Sequence, residues 1–189
     1  MLFDNILTTI GESAFRYSGI QSITPPFSVT SIKLFAFFQN ETLESISLPN
    51  NLTTIERNAF EGCSALKNIS FPDKLTSIGY KTFMNCTNLE SITIPNSITD
   101  IDNYAFAGCT KLQKVVLPES LTYIKDYVFS QCTALSVIEC HSIEPPVISS
   151  DTFEGLTQTI TVYIPSGSSS EEYQNKWGCS SVNFIFINN

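Results

Sequence analysis

Charged residues are scarce in this sequence, and positively charged residues are the scarcest. Only 15% of the 189 residues are charged, with ten Lys or Arg against eighteen Asp or Glu, so the net charge is −8 at pH 7. The basic residues are scattered, whereas a nucleic-acid site needs a basic stripe that replaces the counterions of the phosphates. The same shortage disfavours attraction to an anionic membrane surface. We therefore expect no nucleic-acid partner.

Long apolar segments are also missing. No run approaches the roughly 18 consecutive apolar residues of a membrane-spanning helix, so no membrane span is predicted. The first residues, Met1 to Asp4, do not show a basic segment followed by an apolar one, so no signal peptide is recognised. Hydrophobic residues nevertheless make up 42% of the chain, which is ample material for a packed core.

The sequence contains little that would support catalysis. It has a single histidine, His141, and it lacks a Gly-x-Ser-x-Gly elbow, a phosphate-binding loop and a distinctive pair of carboxylates. Nucleophilic catalysis needs a nucleophile, a base and a group that orients the base. We therefore expect a protein that is not an enzyme and that needs no cofactor. His141 is expected to be a loop residue.

What the sequence does contain is a repeat of 23 residues. Isoleucine, phenylalanine and proline recur in register along most of the chain. They are Ile32, Ile55, Ile78, Ile101 and Ile124, then Phe37, Phe60, Phe83, Phe106 and Phe129, and then Pro26, Pro49, Pro72, Pro95 and Pro118. A fixed period of about 20 to 50 residues is typical of a solenoid, in which each repeat buries its apolar face against its neighbours.

The unit from Leu66 to Leu89 shows how one repeat should fold. Ile69 and Phe71 are two residues apart, as in a strand, and Pro72 ends the strand because proline cannot donate a ladder hydrogen bond. A second short extended or turn segment follows. The spacing of three around Phe83 then indicates a single helical or 3₁₀ turn. Equivalent phenylalanines of successive repeats are predicted to form an aromatic column in the core.

The two ends of the chain differ. Residues 1–141 are predicted to form an array of about six repeats, of which the first is incomplete, and residues 142–189 a final repeat of 24 residues and a C-terminal cap. In the cap, Ser168 to Ser170 can begin a short helix and Gly178 can end it. The incomplete first repeat leaves an open end. We therefore expect the chain to be part of a longer array, with self-association through the N-terminal end as a further expectation.

Four of the six cysteines share one repeat position; they are Cys63, Cys86, Cys109 and Cys132. Their interval of 23 residues differs from the close pairs typical of zinc sites, so no metal is expected. Stacked repeats would bring them within the range of a disulfide. Free cysteine packs as a small hydrophobic residue, and Asn40 fills the position one repeat earlier, so we expect free buried thiols. A bond between Cys140 and Cys179 stays open as an alternative.

The unit Leu-x-x-Ile-x-Phe-Pro-x-x-Leu-Thr-x-Ile-x-x-x-(Ala/Thr)-Phe-x-x-Cys resembles the BspA-like class of leucine-rich repeats over about residues 7–140. The resemblance implies a right-handed solenoid, α/β or mainly β, with a parallel sheet on one face and short turns or 3₁₀ segments on the other. It also implies a non-enzymatic binding role. Members of the class are typically surface or secreted proteins of gut and oral bacteria and of protist parasites, and several are associated with adhesion to host proteins.

In such a solenoid, partners usually dock on the exposed face of the sheet. The outward strand positions begin with Ser22 and Thr24. The candidate protein-binding residues that follow are Ser45, Ser47, Asn68, Ser70, Ser91, Thr93, Lys114, Val116, Val137 and Glu139. These side chains are mostly small and hydroxylated, and the end with Lys114 and Glu139 has the more distinctive chemistry. The alternative is a merely solvated β surface, since binding hot spots normally need Trp, Tyr or Arg.

Two functional hypotheses follow from these observations. The first is a non-catalytic recognition module of a cell-surface or secreted protein, which binds another protein, such as a host surface or matrix protein, through the sheet face. The second is an intracellular, cytoplasmic scaffold or spacer whose repeats support another domain. Cysteines expected to be reduced and the absence of a recognised signal peptide favour the second hypothesis.

Overall fold

The chain folds into a solenoid built almost entirely from short parallel strands. The structure, a computed structural model, describes residues 6–178 and 182–188. Its strands are β1 (Thr9–Ile10), β2 (Ser22–Ile23), β3 (Ser31–Ile32), β4 (Ser45–Ile46), β5 (Thr54–Ile55), β6 (Ser91–Thr93), β7 (Asp100–Ile101), β8 (Lys114–Leu117), β9 (Tyr123–Ile124), β10 (Val137–Cys140), β11 (Val147–Ile148), β12 (Thr159–Ile164) and β13 (Asn183–Asn188). One helix, α1 (Ser170–Trp177), lies between β12 and β13. The prediction of a mainly β solenoid is confirmed.

The predicted sheet runs along one face of the solenoid. β2 pairs with β4, a single bridge joins Asn68 to Ser91, and β6, β8, β10, β12 and β13 follow in that order. All pairings are parallel, and equivalent residues 23 apart are opposite each other, as Val115 is opposite Ile138. The sequence separation of opposite residues increases to 24 between β10 and β12, where Ile138 is opposite Val162. The sheet therefore continues across the predicted division at residue 141, and that division stays a prediction.

The second short segment of each repeat forms a second parallel sheet. β1, β3 and β5 pair in order, as do β7, β9 and β11, and a bridge between Ile78 and Ile101 links the intervening repeat to β7. Each of these strands has two residues, of which the isoleucine points inward and is buried. From the sequence, this segment was predicted to be either extended or a turn. Backbone pairing with the neighbouring repeats makes it extended.

The third side of each repeat is a run of turns that also form a ladder. In one repeat, Tyr104 and Gly108 have φ of +59° and +73°. The N–H of Tyr104, Phe106 and Gly108 donate to carbonyl groups of the next repeat at 3.1, 3.1 and 2.8 Å. A 3₁₀ helix needs consecutive negative φ values. Because left-handed residues interrupt the run, the described repeats have turns here and no 3₁₀ segment.

An amide residue and a glycine alternate at one left-handed position of these turns. The pairs are Gln39 with Gly62, Asn85 with Gly108, and Gln131 with Gly155. The glycines have φ between +73° and +78°, which costs a residue without a Cβ little. A Cβ on each glycine would also overlap the amide side chain of the preceding repeat. The left-handed φ alone does not require glycine, because Gln39, Asn85 and Gln131 adopt it at the same position. Glycine at every second turn is favoured by the close approach of the amide side chain.

The core is a set of ladders, and the largest of them is aromatic. Seven phenylalanine rings stack with centroids 5.0–6.0 Å apart and near-parallel planes in all but the last pair. They are Phe15, Phe37, Phe60, Phe83, Phe106, Phe129 and Phe153. This confirms the predicted aromatic column. A further buried ladder, which the sequence analysis did not predict, consists of Val29, Leu52, Leu75, Ile98 and Leu121.

The C-terminal segment covers one end of this core. Ser169 caps α1 by accepting a hydrogen bond from the Glu172 N–H, and Gly178 follows the helix, as predicted. Gly178 has φ of −68°, so its role does not depend on a left-handed conformation. Tyr173 and Trp177 are fully buried. At the other end, Phe15 of the first described repeat is only partly buried. Leu2 and Phe3, which precede the incomplete first repeat, lie outside the described residues, so the predicted open end stays a prediction.

Candidate protein-binding face

The ten residues predicted to form a binding face all lie on the outward side of the main sheet. In β6, for example, Ser91 and Thr93 are exposed, whereas Ile92 between them is buried. The same alternation places Lys114 and Val116 outward in β8 and half-exposed. The other members, Ser45, Ser47, Asn68, Ser70, Val137 and Glu139, are likewise exposed or half-exposed. We call this surface the sheet face.

The N-terminal half of the sheet face is shallowly concave. One depression of about 410 Å³ lies over Ser22, Ser45 and Asn68 and their neighbours. A second, of about 390 Å³, adjoins it at Asn68 and Ser70 and extends to Thr93. Most polar groups in their lining are uncharged hydroxyls and amides, which donate and accept hydrogen bonds, and the second depression is also lined by the carboxylate of Asp73. This half of the face therefore offers mainly hydrogen-bonding groups, and Asp73 adds a negative charge at the second depression.

The only ion pair on the sheet face among the described residues joins β8 to β10. Lys114 Nζ lies 2.7 Å from Glu139 Oε1, and the two side chains are 45% and 33% exposed. An ion pair this exposed contributes about 1 kcal/mol or less to stability. Its main effect is to neutralise both groups, so the middle of the sheet face carries little net charge.

The sheet face extends further than the repeat alone indicated. β12 and β13 continue the sheet and place Thr161, Tyr163, Ile185 and Ile187 outward. Tyr163 supplies the aromatic side chain that the predicted residues lacked. The 23-residue register missed it because the last repeat has 24 residues. The alternation of inward Ile160, Val162 and Ile164 in the sequence was the available signal, since it places the residues between them outward.

Tyr163 belongs to a third depression at the C-terminal half of the face. This depression has a volume of about 440 Å³ and is lined in part by Glu139, His141, Tyr163 and Pro165. His141 follows β10 directly and is exposed. Its backbone N–H donates to the carbonyl of Leu117 at 3.0 Å. The structure therefore brings together the aromatic ring of Tyr163, the imidazole of His141 and the carboxylate of Glu139. The sequence analysis considered the last two separately and did not single out Tyr163.

The cysteine column is buried and reduced, as predicted. Cys63, Cys86, Cys109, Cys132 and also Cys140 are free thiols. Each of the first four donates through Sγ to the carbonyl of a column phenylalanine at 3.2 Å. Cys140 instead accepts from Tyr173 Oη at 3.2 Å. Cys179, the other residue of the disulfide left open by the sequence, lies outside the described residues.

Burial of these thiols should make stability depend on alkaline pH. Burial raises the pKa of Cys109 from 9.0 to about 12. Between these values the unfolded chain loses the proton and the folded chain keeps it, so the free energy of unfolding falls as pH rises. The slope is about 1.4 kcal/mol per pH unit for one thiol. We expect Cys109→Ala to reduce the pH slope of the free energy of unfolding by this amount, as measured by urea unfolding between about pH 10 and 11. The cavity left by the substitution lowers stability equally at every pH.

The matched control for that measurement is Ser64→Ala, which changes a half-exposed hydroxyl two repeats earlier. It should leave the pH slope unchanged. Equal slopes for Cys109→Ala and the wild type would contradict the prediction, because the thiol would then titrate alike in both states.

Neither a metal-binding cluster nor a membrane-spanning helix is found in the part of the chain that the structure describes. Within residues 6–178 and 182–188, no group of three or more His, Cys, Asp or Glu side chains is arranged to hold a metal ion. Over the same part of the chain, no helix has the length and apolar character needed to cross a bilayer.

Comparisons with known proteins agree with the repeat geometry. The family model of the BspA type leucine rich repeat region, with six copies, matches residues 2–112 and 76–189. The leucine-rich repeat protein TpLRR of T. pallidum is 23% identical with a TM-score of 0.70, and the match covers 97% of this chain and 81% of that one. No curated protein matches the chain.

Two further solved structures are similar. A leucine-rich repeat protein from Bacteroides ovatus ATCC 8483 is 25% identical with a TM-score of 0.55, over 97% of this chain and 67% of that one. The pneumococcal vaccine antigen PcpA is 19% identical with a TM-score of 0.74, over 89% of this chain and 42% of that one. With the family matches spanning nearly the whole sequence, the 23-residue unit identifies this chain as a member of the BspA-type leucine-rich repeat family.

Proposed function

We propose that this chain is a non-catalytic recognition module of a cell-surface or secreted protein, and that it binds another protein through the sheet face. The observation that carries the proposal is the sheet itself. Its outward side chains form two regular rows along the solenoid, and none of them is covered by another element of the described chain. An extended, accessible surface of this kind is what solenoids use for binding.

The chemistry of the sheet face favours a protein partner. Its N-terminal half offers hydroxyl and amide groups in shallow depressions, and its C-terminal half offers Val116, Val137 and Tyr163. Protein interfaces combine an apolar centre with aromatic anchors and a polar rim. We propose that Tyr163 and the valines form the centre of the contact and that the hydroxyl rows form its rim.

A surface location is supported by relatives. Repeats of the BspA class are typical of surface and secreted proteins, and PcpA, which shares the fold, is a vaccine antigen. The alternative of an intracellular scaffold is supported by the five free buried thiols, which need no oxidising compartment. The coding sequence upstream of Met1 in the native gene distinguishes the two, because a leader peptide would exclude the cytosolic alternative.

The sheet face can be tested with three single substitutions. Ser70→Arg, Thr93→Arg and Val116→Arg each place a long charged side chain on the face without changing the core. We expect each to weaken binding to a panel of immobilised host matrix proteins by about tenfold or more, which corresponds to 1.4 kcal/mol. Surface plasmon resonance gives the dissociation constants.

The matched control is Ser77→Arg, which introduces the same charge at an exposed position in line with the second sheet. It should bind as the wild type does. If all four variants bind alike, the sheet face is not the binding surface. If the wild type binds no member of the panel, host matrix proteins are excluded as the partner.

A further inference from the structure

β13 ends the main sheet as an edge strand. All six of its residues, Asn183 to Asn188, are in register with β12 on one side. On the other side, no hydrogen bond from the described residues reaches its backbone. Successive backbone groups of a strand point alternately to its two neighbours. One row of N–H and C=O groups along β13 therefore has no partner in the described chain, which leaves a template for another strand.

The side chains of β13 do not protect this edge. Its sequence, Asn-Phe-Ile-Phe-Ile-Asn, has no charge and no proline. Ile185 and Ile187 are 50% and 40% exposed, and Phe184 and Phe186 are only partly buried against Trp177. Natural edge strands usually carry lysine, proline or a bulge that prevents further pairing. β13 has none of these devices, and its four consecutive apolar side chains all retain contact with solvent.

We propose that β13 binds an extended segment of a partner protein as an additional strand of the main sheet, and that this segment alternates apolar residues and carries basic residues at its end. The unpaired backbone row accepts an extended chain, because only a strand presents complementary N–H and C=O groups at the same spacing. Ile185 and Ile187 on one side of the sheet, and the two phenylalanines on the other, select apolar side chains at alternate positions.

The basic residues are inferred from the charges beside the edge. Ser170 Oγ donates to Asn188 Oδ1 at 2.8 Å, so the beginning of α1 lies at the end of β13. The exposed carboxylates Glu171 and Glu172 follow at once. Residues 95–178 as a whole contain ten acidic and four basic side chains. A basic segment is attracted to this end of the molecule, whereas a second copy would bring the same acidic groups against it.

This site adjoins the sheet face and shares Ile185 and Ile187 with it. It differs in depending on the backbone edge of β13, which the outward rows of β4 to β10 do not include. A fluorescein-labelled peptide of alternating valine and threonine with two lysines at one end serves as the probe. The control peptide has the same sequence with every second backbone nitrogen methylated, which removes the hydrogen-bond donors of one edge. Fluorescence anisotropy with the full chain gives the affinities.

We expect the unmodified peptide to bind at least about tenfold more tightly than the methylated one. Ile187→Lys should weaken binding by a similar factor through the apolar contact. The pair Glu171→Gln and Glu172→Gln, which lies outside the strand, should weaken binding at low salt and reduce its salt dependence. Hydrogen exchange of the amides in β13 should slow when the peptide is added.

Three outcomes would overturn the proposal. The first is equal binding of the two peptides, which would mean that backbone pairing is not used. The second is unchanged hydrogen exchange in β13 while the peptide is bound. The third is a dimer of the chain alone that Ile187→Lys dissociates in sedimentation measurements, since a second copy would then occupy the edge. Ser70→Arg, which tests the sheet face, should bind the peptide as the wild type does. A failure of the proposed function is therefore distinguishable from a failure of the proposed strand addition at β13.

Discussion

Phe83→Ala should lower the free energy of unfolding by about 3–5 kcal/mol, which is the usual cost of deleting a buried aromatic ring. The Phe83 ring is fully buried and stacks on Phe60 at 5.3 Å and on Phe106 at 5.5 Å. In a solenoid each repeat is stabilised by its two neighbours, so this one deletion weakens two interfaces. Urea unfolding followed by far-ultraviolet circular dichroism measures the loss.

Phe27→Ala provides the control for this experiment, because Phe27 is 65% exposed and lies outside the aromatic column. Its effect should stay within about 0.5 kcal/mol. A second comparison is Phe15→Ala at the start of the column, where Phe37 is the one ring of the described residues that stacks on it and the residue is half-exposed. It should cost less than Phe83→Ala. Equal losses at these positions would show that stacking on two sides does not determine the stability.

Trp177→Ala should cost a similar amount, about 3–5 kcal/mol, and should also expose the end of the core. The indole contacts Phe153, Phe184 and Phe186, and its Nε1–H donates to the carbonyl of Pro146 at 2.9 Å. Deleting it removes the apolar contact and leaves that carbonyl unsatisfied. Urea unfolding measures the stability, and binding of an apolar fluorescent dye reports the exposed core.

Asn175→Ala is the matched control on the same helix, because its side chain is exposed. It should change stability by about 0.5 kcal/mol or less and should not increase dye binding. Trp177→Phe keeps a ring in the core but loses the indole N–H. Its loss of stability should therefore be smaller than that of Trp177→Ala and larger than that of Asn175→Ala. A Trp177→Ala protein as stable as the wild type would mean that the cap does not stabilise the array.

Much of the fold was predictable because a solenoid core repeats its residues. Phe60, Phe83 and Phe106 occupy one structural position, so their spacing shows both the length of a repeat and the direction in which the rings stack. The second sheet was less visible. Its strands have two residues each, as in Thr54–Ile55, and alternation cannot be recognised over so short a segment.

The turns were obscured by the residues that occupy them. Tyr104 and Tyr127 have φ of +59° and +61°, in a region where bulky side chains are uncommon, so residue type gives no indication of that conformation. The C-terminal part of the sheet face was missed for another reason. The lengthened last repeat moves Tyr163 out of the 23-residue register, and pairing with Glu139 is evident only from the strands.

The identity of the partner could not be predicted, and the reason is physical. An inward position must fit the same space in every repeat, whereas an outward position is free of that packing constraint. Asn68, Lys114 and Val137 occupy the same outward row yet share no chemistry. If the sheet face binds as we propose, its specificity depends on these differences, which the repeating core pattern does not contain.

The alternation of amide and glycine in the turns makes two repeats, not one, the modular unit of this solenoid. Removing residues 86–108 would keep every core ladder in register but would place Asn85 next to Gln131, with no glycine between the two amides. Removing residues 86–131 would instead bring Asn85 next to Gly155 and preserve the alternation. Lengthening or shortening the array by recombination or by engineering is therefore easiest when an even number of repeats is added or removed. The 23-residue sequence pattern alone would also permit an odd number.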